Sequence, residues 1–261
     1  RTGRSGVRRA SGDEYEVGNS LEHHRGRTMI SRWPAVARGC TDEDGLRLHH
    51  GFSSRRYHDP RRMGFGALRV LDSGYLTAAA GMPMERRANM EILTLLTAGD
   101  AIMQAADQRH AMGSGDLFWL GAGNGIAQSL VPTSNKPCSF IQLWLQPMRV
   151  NAEPRFALRR YREVECRQGC WLVASGRADA IGEEVLPMRA DADVHIARLA
   201  RSESLRYDIQ AERRVWIQVL RGAVAVDGDV AETGDGLAVT DRRNVTIDAG
   251  DDSELLLIEL A

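Results

Sequence analysis

The sequence has no apolar run near the roughly 18 residues that a membrane-spanning helix requires, so no helical span is expected. It also lacks an excess of either charge. With 34 Lys and Arg against 35 Asp and Glu, the formal net charge is −1. That balance gives no global pull toward nucleic acid or an anionic membrane. Only four cysteines occur, Cys40, Cys138, Cys166 and Cys170, and none forms a Cys-x-x-Cys pair. A structural zinc centre is a poor reading of that spacing. Free thiols in a reducing cytoplasm are expected instead, and no secretory leader is visible. Also missing are the Gly-x-Ser-x-Gly elbow, the phosphate-binding Gly-x4-Gly-Lys loop and a dinucleotide fingerprint between a strand and a helix.

What is present is glycine, at 26 residues, spaced between short apolar segments. Glu91–Thr97 (EILTLLT) is too short for a typical helix and reads as a strand buried on both faces. Segments 116–120 and 140–145 read the same way, the first bracketed by glycine turns. Asp72-Ser73-Gly74 reads as a turn after the apolar run 63–71. A second strand series follows at 194–199, 205–209, 214–220, 223–226, 236–239, 245–247 and 254–260. Asp227-Gly228 supplies a hairpin turn within it. Short strands with this punctuation predict an all-β chain of sandwiches or barrels. Residues 1–28 are rich in Arg, Gly, Ser and Glu and nearly free of large apolar residues, so a disordered N-terminal extension is expected there. The expected division is then 29–150 as a first barrel, 151–170 as a linker and 171–261 as a second barrel.

Several blocks carry a family resemblance in the right order. They are MGFGALRVL (63–71), NMEILTLLTAG (89–99), GAGNGIAQS (121–129), FIQLWLQP (140–147) and AERRVWIQVLRG (211–222). Together they resemble the pirin family, most closely its bacterial quercetinase-like members, across residues 29–261. The resemblance implies a bicupin, two cupin-type β-barrels packed side by side. It also implies one transition metal, usually iron, held in the first barrel by three histidines and a glutamate. Those four positions fall on Glu85, Arg87, Gln128 and Leu130.

None of these four residues is a histidine. Glu85 offers a carboxylate and Gln128 a neutral carbonyl, whereas Leu130 has no donor atom and the Arg87 guanidinium has no acceptor. No metal cofactor is therefore expected. On one continuous strand, residues 85, 87, 89 and 91 share a face. Glu85, Arg87, Asn89 and Glu91 would then form a polar column in which Arg87 pairs with a glutamate. Glu85, Arg87 and Gln128 are the candidate ligand-binding residues, for a small anionic or phenolic molecule. Glu85 and Glu91 are the candidate catalytic bases. The expected function is a non-catalytic small-molecule-binding or regulatory protein with a regulatory protein partner and no direct contact with nucleic acid or membrane. The alternatives are a quercetin 2,3-dioxygenase-like enzyme acting on flavonols through a displaced metal, and a metal-free enzyme with Glu85 as base and Arg87 as anion stabiliser.

Overall fold

The computed structural model describes residues 29–261 apart from 79, 134, 162–168, 181 and 183. The N-terminal extension expected at 1–28 lies outside the described residues. Short extended segments dominate, and no α-helix occurs among the described residues. The first half contains β1 (Met29–Trp33), β2 (Gly39–Glu43), β3 (Leu46–His50), β4 (Leu68–Leu76), β5 (Met82–Arg87) and β6 (Glu91–Ala98). It continues with β7 (Asp100–Ala105), β8 (Gln108–Gly113), β9 (Asp116–Gly121), β10 (Ile126–Pro132), β11 (Cys138–Leu145) and β12 (Arg155–Arg160). The second half contains β13 (Gly169–Ser175), β14 (Leu186–Pro187), β15 (Ala192–Leu199), β16 (Ser204–Asp208) and β17 (Arg214–Arg221). It ends with β18 (Ala223–Val226), β19 (Asp229–Glu232), β20 (Gly236–Thr240), β21 (Asn244–Ala249) and β22 (Ser253–Leu260).

Each half is one large sheet facing one small sheet. In the first, the order β12-β9-β6-β11-β4-β3-β2 faces β5-β10-β7-β8. In the second, β1-β20-β17-β22-β15-β13-β14 faces β16-β21-β18-β19. Each barrel encloses its own apolar core: Ile92, Leu96, Phe118 and Phe140 in the first, Val215, Ile217, Val239 and Leu257 in the second. The outer faces of the two large sheets pack on each other and bury a third core that includes Leu93, Leu95, Leu143, Val194, Ile196 and Ile258. This is the bicupin architecture. β6 shows why its sequence is apolar throughout: Ile92 and Leu96 point into the barrel, while Leu93 and Leu95 point into the seam between barrels. Full burial of each such side chain is worth roughly 1.5–3 kcal/mol.

The structure departs from the expected boundaries in two places. β1, expected in the first barrel, pairs with β20 and extends the large sheet of the second. β12, expected in a linker, pairs with β9 and closes the edge of the first large sheet. Phe156 and Leu158 pack against the first barrel's core, so apolar residues at alternate positions outweigh the surrounding arginines. The expected turn at Asp72-Ser73-Gly74 is also corrected, because these residues lie inside β4. Gly74 is there because the Phe140 ring occupies the space a Cβ would need, 2.1 Å from its nearest ring carbon. The Asp227-Gly228 hairpin turn between β18 and β19 forms as read, with φ of 47° and 94°.

Candidate functional site

The candidate site lies where β5 and β10 cross the mouth of the first barrel. The two strands are antiparallel, with Gln128 opposite Glu85, Ile126 opposite Arg87 and Leu130 opposite Met82. An irregularity between Gln128 and Leu130 shifts the register. Alternation along β5 turns Glu85 and Arg87 inward to half-buried positions and leaves Met84 and Arg86 exposed. Gln128 and Leu130 are buried on the facing strand.

All four residues therefore come together, Leu130 as an apolar wall, and the chemistry of the polar three is that of an ion pair beside an amide. Arg87 forms a salt bridge with Glu85. Arg55, from the loop before β4, approaches the same carboxylate oxygen at 3.8 Å. The Arg87 guanidinium sits 4.8 Å from the centre of the Trp144 ring, a cation–π position. Trp144 in turn donates to Gln142 (2.8 Å), and Gln142 donates to Thr94 (3.1 Å). One carboxylate thus meets two guanidinium groups. Burial, and after it the repulsion from Arg55, lowers the Arg87 pKa from its ordinary value.

The space left among these groups is about 10 Å³, bounded by Glu85, Arg87, Gln128, Gln142 and neighbouring apolar side chains. That is close to the minimum for a single water molecule. Two polar atoms there, Arg87 Nε and Gln128 Oε1, are buried without a hydrogen-bond partner among the described residues. One is a donor and the other an acceptor. A molecule with a hydroxyl group has the complementary pair of functions.

Glu91 does not join this group, nor does Asn89. The column expected from strand alternation is broken at residues 88–90, where Asn89 adopts a left-handed φ of 54°. Asn89 instead receives a hydrogen bond from the Asn151 backbone (2.7 Å). Glu91 begins β6 and faces the seam between the barrels. There its Oε2 accepts hydrogen bonds from Trp119 Nε1 (2.8 Å) and the Arg189 backbone N–H (3.0 Å). Burial raises its pKa above the usual carboxylate value, against the two hydrogen bonds and Arg189, which lower it. Arg55 and Trp144 are the site residues that sequence reasoning missed. Trp144 carried a signal, since it alternates with Phe140 and Gln142 on the inner face of β11. Arg55 carried none, because a loop brings it in from thirty residues upstream.

The histidines among the described residues do not assemble an alternative site. His50 is fully buried between Asp72 (2.8 Å) and Thr41 (3.0 Å). His110 packs against Phe118 and Phe156, each at 5.3 Å. His195 lies in the second barrel beside the Tyr207 hydroxyl at 3.3 Å. Among the described residues no three His, Cys, Asp or Glu side chains are placed to share a metal ion. Cys40, Cys138 and Cys170 are free, and burial raises the Cys138 and Cys170 thiols to about 11. Cys166 lies outside the described residues. No helix among them is long and apolar enough to cross a membrane.

Comparison with known proteins agrees with this architecture. The family model described as "Pirin" matches residues 34–145, and that described as "Quercetinase C-terminal cupin domain" matches residues 172–260. The quercetin 2,3-dioxygenase of Escherichia coli K12 is 35% identical over 234 residues, covering 89% of this chain and 99% of that protein. A pirin-like protein of Caulobacter vibrioides is 29% identical over 235 residues, covering 89% and 100%. The crystal structure of the bacterial pirin YhhW from E. coli, in complex with nickel(II), superimposes with a TM-score of 0.84 at 35% identity, covering 89% and 99% of the two chains.

Proposed function

Because this chain belongs to the pirin family, we propose that it is a bicupin whose first barrel holds an internal ion pair where relatives hold a metal. It acts as a binding or regulatory protein without dioxygenase chemistry. The observation that carries this reading is the Arg87–Glu85 pair stacked on Trp144, with about 10 Å³ of space beside it.

The donor set does not fit a transition metal. A divalent ion of the iron or nickel type favours imidazole and carboxylate ligands converging on one point. Here one carboxylate is engaged by two guanidinium groups, and the fourth position is the alkyl side chain of Leu130. A cation entering would have to displace Arg87 from Glu85 and would then lie beside a fixed positive charge, a repulsive arrangement at low local dielectric. No catalytic step is therefore assigned through a metal at this position.

What the site offers is recognition of a small polar group. The surplus positive charge from Arg55 favours an anionic ligand or the hydroxyl of a phenol, and Gln128 Oε1 is available to accept a hydrogen bond from the latter. A regulatory protein partner is compatible with this reading, with ligand occupancy at the barrel mouth as the signal.

The similarity to quercetin 2,3-dioxygenases supports a second reading, in which the chain turns over flavonols with Glu85 as the base. One measurement separates the two: elemental analysis of purified protein together with a quercetin turnover assay. The first reading expects less than about a tenth of a metal ion per chain and no turnover above the no-enzyme rate, before or after incubation with iron(II) or nickel(II). Stoichiometric metal with turnover abolished by Glu85→Gln overturns it in favour of the second.

A further inference from the structure

A separate and larger hollow lies at one end of the seam between the two barrels, with a volume of about 550 Å³. Strand register builds its floor. On the outer face of the first large sheet, His49 lies opposite Ser73, and Ser73 lies opposite Ile141. The adjacent row runs Arg47, Tyr75 and Ser139. The second barrel supplies the opposing wall through Leu220 and Arg221 at the end of β17. Neither barrel alone forms this cleft.

Its charge is one-sided. Arg38, Arg47 and Arg221 line it, and Glu254 is the one carboxylate lining residue. That carboxylate is held by Arg198 at 2.7 Å, and Arg47 is held by Asp42 at 2.7 Å. Arg38 and Arg221 have no salt-bridge partner among the described residues. Arg38 donates to the Ser73 hydroxyl (2.9 Å) and to the His49 carbonyl, and its Nε is buried with no hydrogen-bond partner among the described residues. Arg221, with no ion pair among the described residues, and Arg38, which feels the Asp72 carboxylate without a salt bridge to it, stand beside hydroxyls between Ile141 of the floor and Leu220 of the wall, and together they suit one kind of molecule.

We propose that this cleft binds a small organic anion, a phosphate or carboxylate carried on an apolar body. The Arg38 and Arg221 guanidinium groups take the charged head in charge-assisted hydrogen bonds, with the Ser73 and Ser139 hydroxyls beside them. Tyr75, Ile141 and Leu220 cover the body. The ligand bridges the barrels, so it stabilises their docked arrangement by mass action. The site is distinct from the Glu85–Arg87 site at the barrel mouth and does not depend on it.

His49 is a built-in reporter. Burial lowers its pKa, and the Arg38 and Arg47 charges and His50 lower it further. Of the charged groups around it, Arg38, Arg47 and Arg221 are cationic; Glu254 is paired with Arg198 and Asp42 with Arg47, and Asp72 acts on Arg38 from the adjacent strand. An anion seated among these cations reverses the local field and raises the His49 pKa.

The test is a titration of the full chain at low salt with phenyl phosphate, read by the ring-proton NMR signals of the histidines. The expected result is a saturable shift of the His49 signal, with His58, His110 and His195 unmoved, and a raised His49 pKa at saturation. Arg221→Ala, an exposed position where misfolding is not expected, should weaken binding by about tenfold. Arg206→Ala, on the far side of the second barrel, should leave it unchanged. Inorganic phosphate should bind more weakly than phenyl phosphate, and phenol should not shift His49. An unmoved His49, equal binding by Arg221→Ala and the parent, or an equal response to phenol would each overturn the proposal. Equal affinity for inorganic phosphate would overturn its apolar half.

Discussion

Replacing Glu91 tests whether this residue is a clamp between the barrels. Glu91 is 1% exposed, and both of its hydrogen bonds converge on Oε2, one from Trp119 in its own barrel and one from the Arg189 backbone across the seam. Glu91→Leu puts an apolar side chain of similar size there but strands two buried donors. At about 1–3 kcal/mol for each of the two unsatisfied groups, the expected loss is on the order of 2–6 kcal/mol. In a chain of this size that lowers Tm by roughly 10 °C. Glu91→Gln retains an acceptor at the Oε2 position and removes a charge whose burial raises the pKa above the ordinary 4.5. Its stability at pH 7 is expected within about 1 kcal/mol of the parent. The sign of the pH effect follows from linkage. A carboxyl whose folded pKa is raised contributes stability that is fully present below the unfolded pKa and lost as pH rises through the folded value. The parent should therefore gain on the Gln variant as pH falls from 7 toward 4.5. Urea unfolding curves at pH 7, 6, 5 and 4.5 measure both effects. If Glu91→Gln is as damaging as Glu91→Leu, or if the parent-minus-Gln difference is flat across that range, the clamp argument fails.

Gly74→Ala should cost about 1–3 kcal/mol or more by thermal unfolding, because the new Cβ would lie 2.1 Å from a Phe140 ring carbon; adding Phe140→Leu should recover part of the loss. Glu85→Gln leaves Arg55 and Arg87 facing each other without a counter-charge, and a half-buried pair of this kind should lose about 1–2 kcal/mol. A double-mutant cycle with Arg87→Met measures that coupling, and additive losses would contradict it. His195 is held down to about 4 by burial, helped by Arg177 and opposed by Asp193. Its stabilising contribution is therefore fully present above about pH 6.5 and lost as pH falls toward 4. Relative to His195→Asn, the parent should lose up to about 1.4 kcal/mol per pH unit in that window, and its ring should titrate by NMR only near pH 4.

Much of the fold was legible because it rests on local pattern. Strands such as β6 and β11 announce themselves as short apolar runs closed by glycine or proline, and the Asp227-Gly228 turn has chemistry that fits its left-handed backbone. The misreadings share one cause, which is that the deciding contact is distant in sequence. Asp72-Ser73-Gly74 has turn composition, yet Gly74 serves a ring 66 positions away, since its side chain is absent to admit Phe140. β1 precedes the first barrel but pairs with β20, more than 200 residues later. β12 looks like a charged connection because three of its six residues are arginines. Its apolar positions, Phe156 and Leu158, are the half that matters for pairing.

The candidate site was legible to the extent that it lies within single strands. Period-two alternation correctly placed Glu85 and Arg87 together, and the cross-strand register adds Gln128 opposite them. It failed at Asn89, where a residue tolerant of left-handed backbone turns a corner, and everything beyond the corner answers to another sheet. Glu91 is for that reason a residue of the seam and not of the barrel mouth. The failure also bears on how the site would have to be changed. Arg87 is held by Glu85 on its own strand and by Trp144 on the opposite sheet, and it shares Glu85 with Arg55, a loop cation that repels it. Imidazoles substituted at 85 and 87 alone would still face Leu130 and a cation at 55. The polar plug is therefore distributed over three non-contiguous segments, and replacing it with a ligand set would require coordinated change in all of them.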